Sequence, residues 1–253
     1  MTREPQDVLR QLLSDARRVV VFTGAGISTE SGIPDYRSKS GRWSKFTPVT
    51  IQDFLASEEK RREYWAEKKE LMACFERVKP NAGHIAIARM HTTGKLTGVI
   101  TQNIDGLHQA AGLPDDKVVE LHGTSCAVIC FSCGRIDPWE AAYRRLLAGD
   151  PAPKCESCGG ILKPNTISFG QSLDPAVLNR ATRMVEDCDL LLAVGSILIV
   201  EPAASFPRMA KSRGARLAIV NLSDTPLDPI ADVVIRAPAG EVLPAAVNLK
   251  IEH

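Results

Sequence analysis

The sequence lacks a long hydrophobic run, and none of its apolar stretches approaches the roughly 18 consecutive residues that a membrane-spanning helix needs. Its 31 basic and 30 acidic residues nearly cancel, so the composition gives no reason to expect a nucleic-acid or membrane partner. Residues 1–18 carry charges throughout and have no continuous apolar core, which argues against a secretory signal. Internal repeats and low-complexity tracts are also missing. These absences predict a globular protein of the cytoplasm.

The seven cysteines are expected to be reduced, because the sequence shows no export signal. Four of them form two Cys-x-x-Cys pairs, Cys130 with Cys133 and Cys155 with Cys158, separated by 21 residues. Two such pairs match a tetrahedral site of four thiolates, and a site filled by protein ligands has no room for a reactive water. The spacing therefore predicts one structural Zn²⁺ within a module at residues 126–162. Two disulfides, or a redox pair, are the alternatives.

A glycine-rich turn follows the first apolar run. Residues 19–22 are all large and apolar, which is typical of a strand buried on both faces of a parallel sheet. Gly24 and Gly26 come next, and glycines at this place allow a tight turn and close approach to a phosphate at a helix N-terminus. The usual Gly-x-Gly-x-x-Gly fingerprint is broken by Thr29, so a turn without a ligand is an equal alternative. The polar loop at 28–37 favours a dinucleotide site.

Further strands and helices alternate along the rest of the chain. Strands are predicted at 96–102, 118–121, 189–194, 215–221 and 232–235, and helical structure at 51–78. This alternation predicts an α/β fold: a doubly wound parallel Rossmann-like sheet with a smaller domain made of a zinc module and a helical insertion. The expected division is 1–40, 92–125 and 163–253 for the Rossmann-like domain, 41–91 for the insertion and 126–162 for the zinc module.

Several separated segments together resemble the sirtuins, a family of NAD-dependent protein lysine deacylases. These segments are TGAGISTESGIPDYRS at 23–38, TQNIDGLH at 101–108, ELHG at 120–123, GGILKPNTISFG at 159–170, GSILIVEPAA at 195–204, residues 219–221 and the two cysteine pairs. The wording of the first motif is most similar to the mitochondrial-type, class II-like branch. That branch includes deacylases, lipoamidases and ADP-ribosyltransferases. The lack of a presequence favours a bacterial cytoplasm over a mitochondrion.

The resemblance implies that NAD is the co-substrate and lies across the carboxyl ends of the strands. It implies that the phosphates and the nearby ribose meet the first glycine loop, nicotinamide meets the loop after the second strand, and adenosine meets the later loops. The implied NAD-binding residues are Gly24, Ala25, Gly26, Thr29, Tyr36, Arg37, Gln102, Asn103, Ile104, Asp105, His122, Gly195, Ser196, Asn221 and Ala239.

The resemblance also implies three catalytic residues, His122, Asn103 and Asp105. In this reaction class the acyl-lysine carbonyl attacks the nicotinamide-bearing ribose carbon as nicotinamide leaves. His122 then acts as general base on a ribose hydroxyl, and the products are free lysine, nicotinamide and O-acyl-ADP-ribose. Histidine suits this task because its unperturbed pKa of about 6.5 lies near the working pH. Taken alone, His122 is better interpreted as a structural histidine at a strand end.

Acylated-lysine proteins or peptides are the implied substrates. Phe169, Gly170 and Gln171 would form part of the groove, where the peptide adds as a strand, and Phe169 and Ile104 would wall the acyl tunnel. The desuccinylating branch uses a tyrosine and an arginine in the insertion, and here Trp65 and Lys68 fall near those positions. Because lysine lacks the bidentate fork of arginine, we expect weak or no preference for succinyl-lysine.

Other functions share parts of this pattern. A protein mono-ADP-ribosyltransferase or a lipoamidase would use the same NAD site, so the sequence leaves both open. A binding module that only senses NAD would have no use for the base His122. A hydride-transferring dehydrogenase is disfavoured by the broken fingerprint at Thr29.

Overall fold

The computed structural model describes residues 3–36 and 41–247. Arg37, one of the implied NAD-binding residues, lies outside them. The strands are β1 (Val19–Thr23), β2 (Leu96–Thr101), β3 (Val118–Glu120), β4 (Gly123–Cys130), β5 (Ile136–Pro138), β6 (Leu162–Thr166), β7 (Leu190–Val194), β8 (Arg216–Val220) and β9 (Val233–Ile235). The α-helices are α1 (Pro5–Asp15), α2 (Ile51–Ala56), α3 (Glu58–Phe75), α4 (Ala82–Thr92), α5 (Leu107–Ala110), α6 (Trp139–Leu147), α7 (Pro175–Glu186), α8 (Ser205–Ser212) and α9 (Ala239–Ala246).

Six strands form a parallel sheet in the order β3-β2-β1-β7-β8-β9. The central strands β1 and β7 are buried along their whole length, as the unbroken apolar runs predicted. One apolar core covers each face of the sheet, including Val19, Val21 and Leu192 on one side and Val20, Phe22 and Leu191 on the other. The predicted doubly wound parallel Rossmann-like sheet is therefore confirmed.

The order of the strands determines where a ligand can bind. The chain runs from β1 through β2 to β3 on one side, and then from β7 through β8 to β9 on the other. The loops that leave β1 and β7 consequently diverge and open a crevice at the carboxyl edge of the sheet, where doubly wound folds bind ligands.

A second sheet of three antiparallel strands, in the order β5-β4-β6, was not predicted from the sequence. Its pairing joins residue 123 to residue 166 and residue 130 to residue 162, so it depends on contacts far apart in the chain. The sheet begins before and ends after the predicted zinc module at 126–162. The division into three units stays a prediction.

The stretch at 51–78, which the sequence predicts to be helical, is divided into α2 and α3. The chain breaks at Ser57, whose backbone is extended (φ −126°, ψ 127°) and whose side chain accepts a hydrogen bond from the amide of Lys60. Serine is a preferred N-cap because its oxygen satisfies an amide that has no partner inside the helix. In the part of the chain that the structure describes, no helix combines the length and apolarity needed to span a bilayer.

Candidate functional site

The four cysteines of the two pairs converge at one end of the small sheet. Their sulfur atoms all lie within 4.8 Å of one another. The Sγ atoms of Cys130 and Cys158 are 3.5 Å apart, and those of Cys133 and Cys155 are 3.8 Å apart. Sulfurs placed tetrahedrally about 2.3 Å from zinc would be about 3.8 Å apart. The donor set and its spacing therefore fit one structural Zn²⁺.

A cavity of about 320 Å³ opens at the carboxyl edge of the large sheet. Residues of the large-sheet loops form one wall, which includes Ala25, Tyr36, Gln102, Asn103, Ile104 and His122. Residues of the insertion form the opposite wall, which includes Phe46, Pro48, Val49, Tyr64, Glu67 and Lys68. Phe169, Gly170 and Gln171 lie at its mouth together with Val200 and Glu201. The structure thus brings together residues that are far apart in sequence, including both predicted tunnel walls, Phe169 and Ile104.

The loop after β2 carries Asn103 and Asp105 into this region. The side-chain amide of Asn103 donates to the carbonyl of Gly24 and to the hydroxyl of Ser28, both at 3.1 Å. Ser28 in turn donates to a carboxylate oxygen of Asp105 at 2.7 Å, and the other carboxylate oxygen accepts from the amide of Leu107. Burial raises the pKa of Asp105 despite these donors. Ser28 was not among the predicted site residues, although the polar loop that contains it was noted.

His122 lies just beyond the end of β3 and lines the cavity. Its Nδ1 atom is 3.0 Å from the carbonyl oxygen of Gln102. Because a carbonyl can only accept, Nδ1 carries the hydrogen, and in the neutral ring Nε2 is the basic nitrogen. A fixed backbone group therefore orients the ring through Nδ1, and Nε2 is the nitrogen that can accept a proton, as a general base requires.

The glycines of the first loop are needed for contact between two loops. A Cβ atom on Gly24 or on Gly26 would lie 2.8 Å from the carbonyl oxygen of Gly195. Gly195 has φ +62°, and a Cβ there would lie 2.2 Å from the amide nitrogen of Ile27. These three glycines therefore let the loops after β1 and β7 touch at the point where the strand order reverses. The turn that follows Gly24 is a 3-10 helix, Ala25–Ser31, in which the Thr29 hydroxyl donates to Gly26.

Eight of the implied NAD-binding residues that the structure describes do not line the cavity: Gly24, Gly26, Thr29, Asp105, Gly195, Ser196, Asn221 and Ala239. The Ser196 hydroxyl donates to the side-chain oxygen of Gln102 at 2.8 Å, which connects the loops after β7 and β2. The side-chain amide of Asn221 donates to the carbonyl of Ser223 at 2.7 Å. Ala239 is buried at the start of α9.

Trp65 and Lys68, the two insertion residues near the positions that the desuccinylating branch uses, lie in different surroundings. Trp65 is fully buried in a separate apolar cluster with Met72, Val128 and Cys130 and does not line the cavity. Its neighbour Tyr64 lines the cavity instead, together with Lys68. The identity of the residue at the wall depends on how α3 is rotated against the zinc module, which spacing within one segment does not determine.

Tyr64, Glu67 and Lys68 form a charged end to an otherwise apolar wall. The Lys68 ammonium lies 4.9 Å from the centre of the Tyr64 ring and 3.6 Å from a carboxylate oxygen of Glu67. Glu67 also pairs with Arg42 at 3.4 Å, and all three charged side chains are at most 12% exposed. Burial acts to lower the pKa of Lys68, but Tyr64 and Glu67 raise it by more than burial lowers it. The pKa of Lys68 is therefore raised overall, and the side chain stays protonated. Its charge is therefore already partly neutralised within the protein.

Comparison with known proteins identifies the family. The model of the Sir2 family matches residues 24–202. The chain is 45% identical over 235 residues to "NAD-dependent protein deacetylase 1" of Bradyrhizobium diazoefficiens, which covers 93% of this chain and 92% of that protein. It is 39% identical over 238 residues to "NAD-dependent protein deacylase 1" of Archaeoglobus fulgidus, with 93% and 94% covered.

Solved structures that resemble this chain belong to the same family as the relatives. A structure described as Sir2 with a p53 peptide and NAD⁺ superposes with a TM-score of 0.87 at 34% identity, and covers 97% of this chain and 98% of the other. A Sir2 variant with deacetylated p53 peptide and 3′-O-acetyl ADP ribose gives a TM-score of 0.89 at the same identity and coverage. These matches specify the family and not the class II-like branch within it. On its sequence, its fold and the position of its cavity, this chain belongs to the Sir2 family.

Proposed function

We propose that the protein is an NAD-dependent protein lysine deacylase that releases nicotinamide, O-acyl-ADP-ribose and free lysine. The observation that carries this proposal is that one cavity joins His122 to Asn103 and Ile104 on one side and to an apolar wall on the other. A reaction between NAD and an acylated side chain needs both walls, because one must hold the cofactor and the other must hold the acyl chain. The relatives named as deacetylases and deacylases support the same activity.

NAD would occupy the crevice between the loops after β1 and β7. The contact of Gly24 and Gly26 with Gly195 leaves the backbone of both loops bare of side chains there, which suits a pyrophosphate. Asn103, Ile104 and Asp105 would hold the nicotinamide, with Asp105 accepting from its carboxamide. The adenosine half would meet the loops that carry Ser196 and Asn221, and Ala239 would lie nearby. Thr29, Tyr36 and Arg37 complete the proposed set.

His122 would act as the general base. With Nδ1 held by the carbonyl of Gln102, Nε2 is the atom that takes a proton from a ribose hydroxyl. The buried carboxylate of Asp105 and the amide of Asn103 lie on the neighbouring loop, each fixed by Ser28. Groups fixed in this way do not need to reorganise during the reaction, which lowers the barrier.

The acylated lysine would enter beside Phe169, Gly170 and Gln171 and place its acyl chain against the insertion wall. Phe46, Pro48 and Val49 make that wall apolar, and the charge of Lys68 is shared with Glu67. We therefore propose that neutral acyl groups are preferred over succinyl. A succinyl peptide that is turned over faster than every neutral acyl peptide would contradict this.

We also propose that the protein works in the reducing cytoplasm and that its four clustered cysteines hold Zn²⁺ for structure alone. All seven cysteines are free thiols, and four of them have the spacing of a zinc site. With four thiolates bound, the metal has no open position for substrate, so it would stabilise the small sheet and take no part in the reaction.

The test is mass spectrometry of a reaction that contains the protein, NAD and a panel of acyl-lysine peptides. Nicotinamide and O-acyl-ADP-ribose should form together, and His122→Ala should lower their rate at least about a hundredfold, the scale of general-base catalysis. His91→Ala, which changes a histidine of α4 that does not line the cavity, is the matched control. Nicotinamide release without peptide deacylation would contradict the proposal and would favour ADP-ribosyl transfer to protein.

A further inference from the structure

The loop at residues 102–106 contains the proposed nicotinamide site and is tied to one residue at both of its ends. Thr101, the last residue of β2, precedes the loop, and His108 in α5 follows it by two residues. The Thr23 hydroxyl at the end of β1 lies 2.8 Å from the Thr101 hydroxyl and 2.9 Å from Nε2 of His108. All three side chains are at most 2% exposed. Thr23 therefore closes the loop by joining its two flanks.

The direction of these hydrogen bonds follows from the groups involved. The Thr101 hydroxyl oxygen accepts from the backbone amide of Asn103 at 3.0 Å and from the Thr23 hydroxyl. Since Thr23 donates its only hydrogen to Thr101, its oxygen must accept from His108. The neutral His108 ring consequently carries its hydrogen on Nε2, and its Nδ1 atom carries none.

The hydrogen bond to Asn103 bends the chain where it leaves the sheet. A threonine hydroxyl that accepts from the amide two residues later stabilises a local turn in place of a continued strand. That turn directs Asn103 toward Gly24 and Ser28, and Ser28 holds Asp105. The position of both side chains thus depends on the Thr101 rotamer, which Thr23 and His108 fix.

We infer that Thr101, Thr23 and His108 form a clasp that positions Asn103 and Asp105, and that His108 acts in it as a neutral hydrogen-bond donor. The inference rests on the proposed function. His108 touches neither cofactor nor substrate site directly, so it is a positioning residue. Its role explains why a histidine is buried under the loop and away from the cavity.

The surroundings of His108 keep the ring neutral. The His84 ring packs against it with 5.1 Å between ring centres, and His84 donates from Nδ1 to the side-chain oxygen of Asn81 at 3.1 Å. Nδ1 of His108 and Nε2 of His84 have no hydrogen-bond partner among the described residues. Burial lowers the pKa of His108 to about 3 and that of His84 to about 4. Neither ring can stabilise a proton there, so His108 stays neutral throughout the working pH range.

Two matched pairs of variants test the clasp. Thr23→Val keeps the shape but removes the hydroxyl, whereas Thr23→Ser keeps the hydroxyl. His108→Asn moves the amide nearer the main chain and loses the bond, whereas His108→Gln places an amide donor near the former Nε2 position. We expect Thr23→Val and His108→Asn to lower kcat by roughly 10- to 100-fold, because small displacements of reacting groups have effects of this size. They should also raise KM for NAD and leave KM for the acyl peptide within about twofold, because they disturb only the NAD-binding wall.

Rates are compared per folded molecule, with thermal unfolding measured for all four variants. The Ser and Gln variants should recover most of the lost kcat. The clasp is refuted if Thr23→Val and His108→Asn lower only the unfolding temperature. It is also refuted if Thr23→Ser and His108→Gln lose as much kcat as Thr23→Val and His108→Asn. Calorimetric titration with NAD separates the two proposals. If the wild-type protein shows no deacylation, the proposed function is contradicted. The clasp is then still tested by NAD binding, which should be weaker in Thr23→Val and His108→Asn and should recover in Thr23→Ser and His108→Gln.

Discussion

The two walls of the cavity are built in different ways. On the large-sheet wall, polar side chains are fixed by a network of short hydrogen bonds among Thr23, Ser28, Thr101, Asn103 and Asp105. On the insertion wall, apolar residues dominate, and the polar ones form a single cluster of shared charges.

The difference follows from what each wall does in the proposed reaction. The large-sheet wall must hold a cofactor and a base in one geometry, and hydrogen bonds impose direction as well as distance. The insertion wall must accept acyl groups, and apolar contact is tolerant of shape because it has no preferred direction. Chemistry and substrate choice should therefore be separable by mutation.

Loss of zinc should have the largest effect, and it should act on the insertion wall. α3 packs through Trp65 and Met72 on the cluster that contains Val128, Cys130 and Cys155. Structural zinc contributes on the order of 10 kcal/mol to folding in small zinc domains. We expect Cys155→Ser to lose the metal, to unfold at a lower temperature and to raise KM for the acyl peptide at least about tenfold, a change of roughly 1.4 kcal/mol in binding.

Metal content, thermal unfolding and NAD affinity are the measurements. NAD affinity should change little, because the large-sheet wall has its own cores. Cys126→Ser, a change at an exposed cysteine outside the cluster, is the control. If Cys155→Ser loses NAD binding as completely as peptide binding, the two walls fold as one cooperative unit. The view that they are built independently would then be wrong.

The second prediction concerns the pH dependence of stability on the large-sheet wall. The unfolded chain binds a proton at His108 below a pH of about 6.5, whereas the folded protein binds it only below about 3. Stability is therefore lost as the pH falls through this window, at about 1.4 kcal/mol per pH unit. Between pH 7.5 and pH 5 the loss from His108 is about 2 kcal/mol.

Urea unfolding at the two pH values checks this prediction. His108→Gln should lose about 2 kcal/mol less than wild type over the interval, whereas Thr23→Ser, which keeps the histidine, should lose the full amount. Glu120, whose pKa burial raises to about 7, has the opposite effect but is common to all three proteins. An identical pH dependence in His108→Gln and wild type would show that His108 is not a buried neutral group.

The smallest expected effect is on acyl preference. Lys68→Met replaces a cation at the insertion wall with an apolar side chain of similar length. Additional apolar contact of about 1 kcal/mol should favour longer neutral acyl chains about fivefold over acetyl, without a change in KM for NAD. Steady-state kinetics on an acyl series measure this, with Lys60→Met on the exposed face of α3 as control. An equal response of all acyl groups would place Lys68 outside the acyl site.

Much of the large-sheet wall could be predicted from the sequence because its signals are local. A strand buried on both faces is an unbroken apolar run, and the residues after it reach the carboxyl edge of the sheet whatever the rest of the chain does. Asn103, Asp105 and His122 could be placed at that edge on this basis, and the zinc site could be placed by the spacing of its cysteines.

The insertion wall could not be predicted in the same way. The loop that carries Phe46, Pro48 and Val49 has no periodic pattern, and the choice between Tyr64 and Trp65 is decided by the rotation of α3 on the zinc module. In the small sheet, β4 pairs with β6 more than 30 residues further along the chain, and neither of these two strands alternates cleanly between buried and exposed residues.

The sequence by itself determined the parallel sheet, the zinc ligands and the residues that reach the ligand edge. Only the tertiary structure decided which insertion residues face them, and that Thr23 joins Thr101 to His108. The physical reason is the range of the forces involved. Backbone propensity, apolar periodicity and ligand spacing act within a segment, whereas a cavity wall and a hydrogen-bonded clasp exist only after separate segments have packed against one another.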